Sequence, residues 1–230
     1  YMAGSGFGTN FRITTWGETH GAGVGVVVDG CPAGLPLERE DVQKYLDRRK
    51  PGQSKYTTQR KEGDQVEILS GIFEGRTTGT PISMVVYNKD QRSKDYSNIK
   101  DIYRPGHADF TFDMKYGFRD YRGGGRSSGR ETIGRVAAGA VAAKVLKELG
   151  IEIKAYAKAI AGIEVSKEHF DFAEMNNNPF NMPDKEAAKL VQEKADQMIK
   201  EMDSIGGIIE CQITGMPVGI GETVFDKLDA

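Results

Sequence analysis

The sequence has 230 residues, and its 31 basic and 33 acidic side chains leave a formal net charge of −2. Its 38% hydrophobic and 28% charged residues are typical of a globular domain with a real core. The near-neutral charge argues against nucleic-acid binding, and no apolar run reaches the ~20 residues of a membrane helix. Cys31 and Cys211 are isolated, so we expect neither zinc nor a disulfide framework, and we expect a reducing cytoplasm.

The first half of the chain predicts strands separated by glycine turns and one helix. Alternation over 11–16 predicts a strand that ends at Gly17, and a second strand covers 24–29. A helical pattern over 38–49 is stopped by Pro51-Gly52. Strands are predicted at 65–73 and 81–88, with a turn from Gly75 to Gly79 between them.

Residues 89–130 show little periodicity, many charges and several aromatic side chains. A loop of this length inside a compact chain is usually functional or disordered, and the aromatic content argues against disorder. We interpret the segment as a functional loop.

A long helix over 129–149 follows, because its apolar positions repeat with a period of 3.6 residues. Ser128 and Glu131 fit the N-cap and N3 positions of a capping box. A strand pair near 151–165, an amphipathic helix over 184–203 and a strand over 207–213 complete the predicted elements.

One motif occurs twice. A strand leads into Gly30-x-Pro32-x-Gly34 and a helix, and the strand at 207–213 leads into Gly215-x-Pro217-x-Gly219 and a helix-like start at Glu222. A chance match of one short motif is the alternative, but the flanking agreement favours a duplicated α+β unit. We therefore expect residues 1–230 to form a single domain that is incomplete at its C-terminus, with the second repeat cut off near 222–230.

Two of the three histidines, His20 and His107, lie in glycine-flanked loops, where a side chain can approach a ligand and exchange protons near neutral pH. A purely structural hydrogen-bonding role is the alternative for each. His169 is interpreted as a surface residue.

The glycine-rich segment from Arg122 to Arg130 opens the long helix, where unpaired N–H groups and the helix dipole favour anions. It resembles a P-loop only superficially, since Arg130 and Glu131 stand where Lys and Ser or Thr are required. A glycine turn with Ser128 merely capping is the alternative. Two basic clusters favour a small polyanion as ligand; they comprise Arg48, Arg49, Lys50, Lys55, Arg60 and Lys61, and Arg119, Arg122, Arg126, Arg130 and Arg135.

Five motifs in order along residues 17–132 together resemble the chorismate synthase family. They are Gly17-Glu18-Thr19-His20-Gly21, Asp47-Arg48-Arg49-Lys50-Pro51-Gly52, Tyr56-Thr57-Thr58-Gln59-Arg60, Arg104-Pro105-Gly106-His107-Ala108-Asp109 and Gly123 to Thr132. Thr19 replaces the usual serine, and Lys50 and Lys55 replace common arginines, which keeps the charge but loses the bidentate fork. The family's C-terminal signature is absent.

The resemblance implies an α+β fold, a β-α-β sandwich built from a duplicated unit. It implies a carbon–oxygen lyase of the shikimate pathway of aromatic amino-acid biosynthesis, which removes phosphate from 5-enolpyruvylshikimate 3-phosphate by 1,4-elimination to give chorismate. Reduced FMN (FMNH2) is required without net redox change, and NADPH supplies reducing equivalents in some members. Homotetramers are also implied.

The resemblance also assigns roles to residues. His20 is the acid near the leaving phosphate, with Thr19 and Ser128 in its proton relay, and His107 lies at the edge of the flavin. FMN is held by Arg126, Ser127 and Ser128. Substrate or NADPH contacts Arg49 and Lys55, and the substrate-binding set also includes Arg48 and Arg130.

The main alternative is a truncated, non-catalytic fragment that binds FMN or phosphoesters. An ordinary flavin oxidoreductase is disfavoured, because no G-x-G-x-x-G fingerprint for a nicotinamide cofactor opens a βαβ unit.

Overall fold

A computed structural model describes residues 4–49, 63–88 and 100–221. The described chain divides into two compact units, one formed by residues up to 145 and the other by residues 146–221. That residues 1–230 form a single domain stays a prediction. No helix in the described ranges is both long and apolar enough to cross a membrane.

The elements mix helices and strands, as predicted. The strands are β1 Gly6–Phe7, β2 Arg12–Gly17, β3 Gly23–Asp29, β4 Val66–Ile68, β5 Ile72–Phe73, β6 Arg76–Thr77, β7 Ile82–Tyr87, β8 Glu152–Ile160, β9 Ile163–Glu164 and β10 Gly207–Thr214. The α-helices are α1 Arg39–Arg49, α2 Asp109–Tyr116, α3 Thr132–Glu148 and α4 Lys185–Glu201.

The first unit is built on an antiparallel sheet of order β1-β2-β3-β7-β4. Valine side chains of β3 face a core that also contains Val42 and Leu46 of α1 and Ile133 and Val141 of α3. Helix α3 comes very close to the sheet at Gly134, where an added Cβ would lie 2.8 Å from the Gly25 carbonyl oxygen. Burial of this apolar face, at roughly 25 cal/mol per Å², is the main stabilising term of the unit.

Two sequence predictions in the first unit need correction. The strand predicted at 65–73 is broken into β4 and β5, because Gly71 has φ +83° and packs directly against Ile82. The segment predicted as a loop over 89–130 contains the helix α2, with Asp109 in its first turn and Gly117 as a left-handed C-cap. The helix was missed because its aromatic side chains do not form one buried face: Asp109 alone is buried.

The predicted long helix begins as a 3₁₀ turn over Gly129–Glu131 and continues as α3. Ser128 is its N-cap, and the Ser128 side chain accepts a hydrogen bond from the backbone N–H of Arg130, as the sequence predicted. Glu131 does not complete the capping box. Its carboxylate instead accepts from Thr15 Oγ1 at 2.6 Å and pairs with two arginines.

The second unit has a three-stranded sheet of order β10-β8-β9. The turn between β8 and β9 places Ala161 and Gly162 at positive φ. Helix α4 begins at its N-cap Asp184 and packs Ala187, Ala188 and Val191 against Ala157 of β8. These elements match the predicted strand pair, helix and final strand; the helix predicted from Glu222 lies outside the described residues.

The duplication predicted from the sequence is consistent with the register of two antiparallel strand pairs, β2–β3 in the first unit and β8–β10 in the second. In the first unit Arg12 pairs with Asp29, and in the second Glu152 pairs with Thr214. The glycine after the last strand of each pair comes equally close to a backbone carbonyl. A Cβ on Gly30 would lie 1.9 Å from a carbonyl oxygen, and a Cβ on Gly215 would lie 2.0 Å from one. This agreement is what the predicted duplication leads us to expect, and the duplication itself stays a prediction.

Candidate functional site: a cavity lined by two histidines and a glycine loop

A cavity of about 720 Å³ lies within the first unit. Three chain segments that are distant in sequence line it: the connection between β2 and β3, the segment 104–120, and the glycine loop 123–129. The volume falls within the usual range for cofactor and substrate sites. Of the site residues predicted from the sequence, the cavity brings together Thr19, His20, His107, Arg126, Ser127 and Ser128.

His20 lies on the short connection between β2 and β3. Backbone bonds from Glu18 N–H to the Gly23 carbonyl and from Gly21 N–H to the Glu18 carbonyl shape this turn. The side chain of His20 is 5% exposed, and Thr19 Oγ1 donates a hydrogen bond of 3.2 Å to the Gly125 carbonyl. Thr19 therefore ties the histidine loop to the glycine loop.

The His20 imidazole packs against the backbone of Gly123. A Cβ at Gly123 would lie 2.4 Å from Cδ2 and 2.6 Å from Nε2 of His20, and Gly123 has φ +93°. Both the close approach and the positive φ require glycine at this position. The glycine loop thus makes room for the imidazole.

The next residues of the loop have the geometry of an anion-binding nest. Gly124 is in the right-handed helical region at φ −79° and ψ −7°, and Gly125 has φ +51°. Successive residues of opposite hand turn their N–H groups toward one point, which favours a phosphate or carboxylate. No atom of the described residues comes within 4 Å of a Cβ built on Gly125.

Arg126 lines the cavity, but its guanidinium is directed at the protein. It donates to the Gly17 carbonyl at 3.0 Å, to the carbonyl and hydroxyl oxygens of Thr15, and to Glu131 at 3.2 Å. Burial raises the pKa of Glu131, but the hydrogen bonds from Thr15 and Arg135 and the nearby arginine charges outweigh it and lower the pKa overall. The guanidinium therefore fixes the loop to β2.

His107 lies on the exposed turn before α2 and lines the same cavity as the glycine loop. The turn is closed by Asp109, whose carboxylate accepts two bonds from the Arg104 guanidinium, at 2.8 and 2.9 Å, and one from the Arg104 backbone N–H. These bonds hold the pKa of the Asp109 carboxyl well below its usual range. Arg104 also donates to the Gly123 carbonyl at 3.0 Å, which joins this turn to the glycine loop.

Apolar and charged side chains of the segment 112–120 complete the wall. Phe112, Tyr116 and Phe118 line the cavity, and aromatic rings of this kind suit a flat heteroaromatic ligand. Arg119 pairs with Asp109 at 3.3 Å and with Asp113 at 3.1 Å. Hydrogen bonds from the Arg122 guanidinium lower the pKa of Asp120, whose carboxylate remains charged beside His20.

Of the arginines predicted to bind substrate, two are paired with a buried carboxylate and one is exposed. Arg49 and Arg130 meet at the buried carboxylate of Asp64, at 3.0 and 2.8 Å, and do not line the cavity itself. Arg48 is exposed on the last turn of α1. Lys55 lies outside the described residues.

Sequence reasoning missed the carboxylates and amide that organise these cations. Asp64 follows the basic segment without a recognisable motif, and Asn88 stands at the end of a predicted strand. Asp109 lies within a recognised motif, but its pairing with Arg104 requires the turn before α2.

A second groove, of about 790 Å³, lies beside α1 and is lined by residues 37–40 and 65–75. It is slightly larger, but it has no histidine and no glycine-rich loop, and its charged side chains are mainly glutamates. Its lining residues therefore make the smaller cavity, with its two histidines and glycine loop, the better candidate for the functional site.

The sequence model of the family described as chorismate synthase matches residues 11–230. The chain belongs to the chorismate synthase family. It is 69% identical to the chorismate synthase of Lachnospira eligens, over all of this chain and 63% of that protein, and 58% identical to that of Methanococcoides burtonii, again over 63% of its length. A crystal structure of a chorismate synthase matches with a TM-score of 0.71 and 30% identity, over 91% of this chain and 59% of the other.

These matches confirm the resemblance and the α+β fold predicted from the sequence. The chain spans somewhat less than two thirds of the length of the curated relatives, at 63% for the Lachnospira eligens protein.

Proposed function

We propose that the protein carrying this chain is a chorismate synthase. It converts 5-enolpyruvylshikimate 3-phosphate to chorismate: the carbon–oxygen bond to phosphate breaks, a proton leaves C6, and a new double bond forms without net oxidation. Membership of the family supports this proposal. The observation that carries it is the meeting of His20, His107 and the glycine loop around one cavity of about 720 Å³.

The chemistry of the cavity suits both the substrate and reduced FMN. The nest at Gly124 and Gly125 offers N–H donors to a phosphate, and the aromatic wall offers surfaces for a flavin ring. Reduced FMN, when bound, supplies electron density that assists departure of phosphate from an allylic carbon. NADPH is the proposed source of reducing equivalents.

The histidines serve two different positions. His20, almost fully buried against Gly123, donates a proton toward the departing phosphate, and the Thr19 hydroxyl belongs to its relay together with Ser128. Burial favours this step because charge stabilisation by fixed donors is strongest where water is excluded. His107, on the exposed turn before α2, holds a proton at the flavin edge.

Arg126, Ser127 and Ser128 form the proposed FMN-binding loop, with the Arg126 guanidinium holding the loop in shape. By the family resemblance, Arg49 and Arg130 belong to the proposed substrate-binding set together with Arg48, and Arg49 and Lys55 to the proposed substrate or NADPH contacts; Arg49 and Arg130 meet at Asp64 outside the cavity lining. A homotetramer in the cytoplasm completes the proposal; the family resemblance alone supports these two features.

Replacement of each histidine tests the proposal in the whole protein that carries this chain. His20→Ala and His107→Ala should each lower turnover by ~10²-fold or more, the usual contribution of a general acid or base. Chorismate formation is followed by anaerobic stopped-flow absorbance with reduced FMN. His169→Ala is the matched control, because His169 is exposed in the second unit.

Wild-type protein that forms no chorismate under these conditions would contradict the proposed function. Near wild-type turnover in either His20→Ala or His107→Ala would remove that histidine from the mechanism.

A further inference from the structure

Asn88, directly after β7, connects the His20 loop to Arg130. Its side-chain Nδ2 donates to the Glu18 carbonyl at 2.9 Å and to the Gly21 carbonyl at 2.8 Å. Its Oδ1 accepts from Arg130 Nε at 2.7 Å. The backbone N–H of Asn88 adds a fourth bond, to the Ala22 carbonyl at 3.0 Å.

The neighbours fix the orientation of the carboxamide. Two carbonyl oxygens require a group with two N–H donors, and the Arg130 Nε–H requires an acceptor. A flipped amide would place oxygen against both carbonyls and nitrogen against the guanidinium. Asparagine is the one short side chain that supplies both donors and the acceptor from the end of β7.

The other end of this connection is rigid. Arg130 is 8% exposed and its Nη1 donates to Asp64 Oδ1 at 2.8 Å. The Asp64 side chain is fully buried and also accepts from Arg49 at 3.0 Å. Hydrogen bonds to charged groups in such settings are stronger than neutral ones, so the Asp64–Arg130 pair is a firm anchor for Asn88.

The loop that Asn88 holds is short and carries His20. The connection between β2 and β3 spans only residues 18–22, and besides its bonds to Asn88 the Thr19 hydroxyl ties it to the Gly125 carbonyl at 3.2 Å. In the sequence, His20 lies between Glu18 and Gly21, whose carbonyls accept the two bonds that Asn88 Nδ2 donates. Movement of these carbonyls would move the imidazole away from Gly123.

We propose that Asn88 is a positioning residue: its two N–H donors clamp the carbonyls on either side of His20 and set the imidazole at a fixed distance from the Arg130 guanidinium. This inference rests on the proposed function, because the clamp matters for catalysis only if His20 acts on the phosphate. Asn88 itself does not line the cavity. It acts through His20 and Arg130.

Two substitutions separate the parts of this arrangement. Asn88→Ala removes the donors and the acceptor together. Asn88→Asp keeps an acceptor for Arg130 and the size of the side chain, but it loses both donors and sets a carboxylate against two carbonyl oxygens. Both variants should release the loop if the donors are the clamp.

The test is the rate at which diethyl pyrocarbonate modifies His20 in the whole protein at neutral pH, read residue by residue by mass spectrometry. His20 is 5% exposed, whereas His169 is exposed and serves as an internal reference in the same molecule. We expect the His20 to His169 rate ratio to rise about tenfold or more in both variants. Hydrogen exchange of the peptide covering residues 17–23 should accelerate in parallel.

Asn178→Ala is the matched control. The Asn178 carboxamide makes four bonds, all to backbone groups, against three for the Asn88 carboxamide; two are as donor at 2.8 Å and two as acceptor at 3.1 Å, and Asn178 belongs to the second unit. The control should lose comparable stability and leave the His20 ratio unchanged. An increase of the same size in the control would overturn the proposal, because general loosening would then explain the effect.

An unchanged His20 ratio in both Asn88 variants also overturns it, as does an increase in Asn88→Ala alone, since the bond to Arg130 would then hold the loop. In the activity assay we expect kcat to fall at least tenfold in both variants with KM within about threefold. A rise in KM with kcat unchanged would place Asn88 in substrate binding and contradict the positioning role. Failure of the wild type to form chorismate would sink the proposed function, and the labelling ratios would still decide whether Asn88 clamps the loop.

Discussion

The antiparallel strand pairs β2–β3 and β8–β10 have the same register next to Gly30 and Gly215 but opposite environments. Val24, Val26 and Val28 of β3 are 1%, 0% and 0% exposed. Their register equivalents in β10 are Ile209, Cys211 and Ile213, and the two isoleucines are 70% and 50% exposed. The strand pair is the same; the layer that covers it differs.

The cover in the first unit comes from α1 and α3, with β7 paired along the free edge of β3. In the described part of the second unit, β10 has β8 as its one strand partner. Within the described residues, β3 therefore contributes to a core and β10 does not. Burial depends on the elements packed onto the pair.

The connections between paired strands differ as well. Residues 18–22 join β2 to β3 and carry Thr19 and His20, whereas residues 161–206 separate β8 from β10 and contain β9 and α4. A short connection over a buried sheet gives a histidine a rigid base, which catalytic geometry requires. We infer that the catalytic chemistry belongs to the β2–β3 strand pair, which α1 and α3 cover.

The largest expected effect on stability comes from placing a carboxylate at equivalent positions of the β2–β3 and β8–β10 pairs. In the 230-residue chain, Val26→Asp should destabilise the first unit by at least ~3 kcal/mol, because an unpaired carboxylate would be buried. Cys211→Asp should change stability by no more than about 0.5 kcal/mol, since that side chain is exposed. Urea unfolding followed by circular dichroism measures both. Equal losses would break the comparison.

Substitution of the glycine that follows each strand pair should lower stability by a similar amount. Gly30→Ala and Gly215→Ala should each cost about 2–3 kcal/mol, because both have positive φ and an added Cβ would strike a backbone carbonyl. Gly34→Ala and Gly219→Ala are controls with positive φ but open space, and should cost about 1 kcal/mol. Thermal melting of the four variants is the measurement. A tolerated Gly215→Ala would argue against the structural repeat.

A smaller effect concerns buried aspartates, Asp109 in the first unit and Asp184 in the second. Hydrogen bonds from Arg104 lower the pKa of Asp109; burial raises that of Asp184, but bonds from Ala187 and Ser166 N–H groups outweigh it and lower the pKa overall. A lowered folded-state pKa stabilises the fold above the unfolded value of 3.8, and this contribution is lost as the pH falls below it.

Asp109→Asn and Asp184→Asn should therefore each flatten the loss of unfolding free energy below about pH 4. Asp109→Asn should also accelerate hydrogen exchange over residues 104–109, where its carboxylate closes the His107 turn. Asp184→Asn should instead affect the start of α4. Wild-type acid sensitivity in both variants would show that other carboxylates dominate.

Periodicity and turn residues predicted most of the sheet strands and three of the four α-helices in the described residues, because those features follow local rules. Helix α2 escaped prediction since Phe110, Met114 and Tyr116 are exposed and give no apolar stripe. The clustering of His20, His107 and the glycine loop was implied by resemblance alone. The roles of Asp64 and Asn88 required the pairing of β7 with β3 and β4, which no local pattern specifies.

The site's location is tested most directly by hydrogen exchange of the whole protein, with and without reduced FMN and 5-enolpyruvylshikimate 3-phosphate. We expect slower exchange on binding over residues 17–23, 104–109 and 123–129, the three segments that line the cavity. Hydrogen exchange of β8 and β10, whose residues do not line this cavity, should not change on binding. Protection confined to the groove beside α1, at residues 37–40 and 65–75, would contradict the assignment.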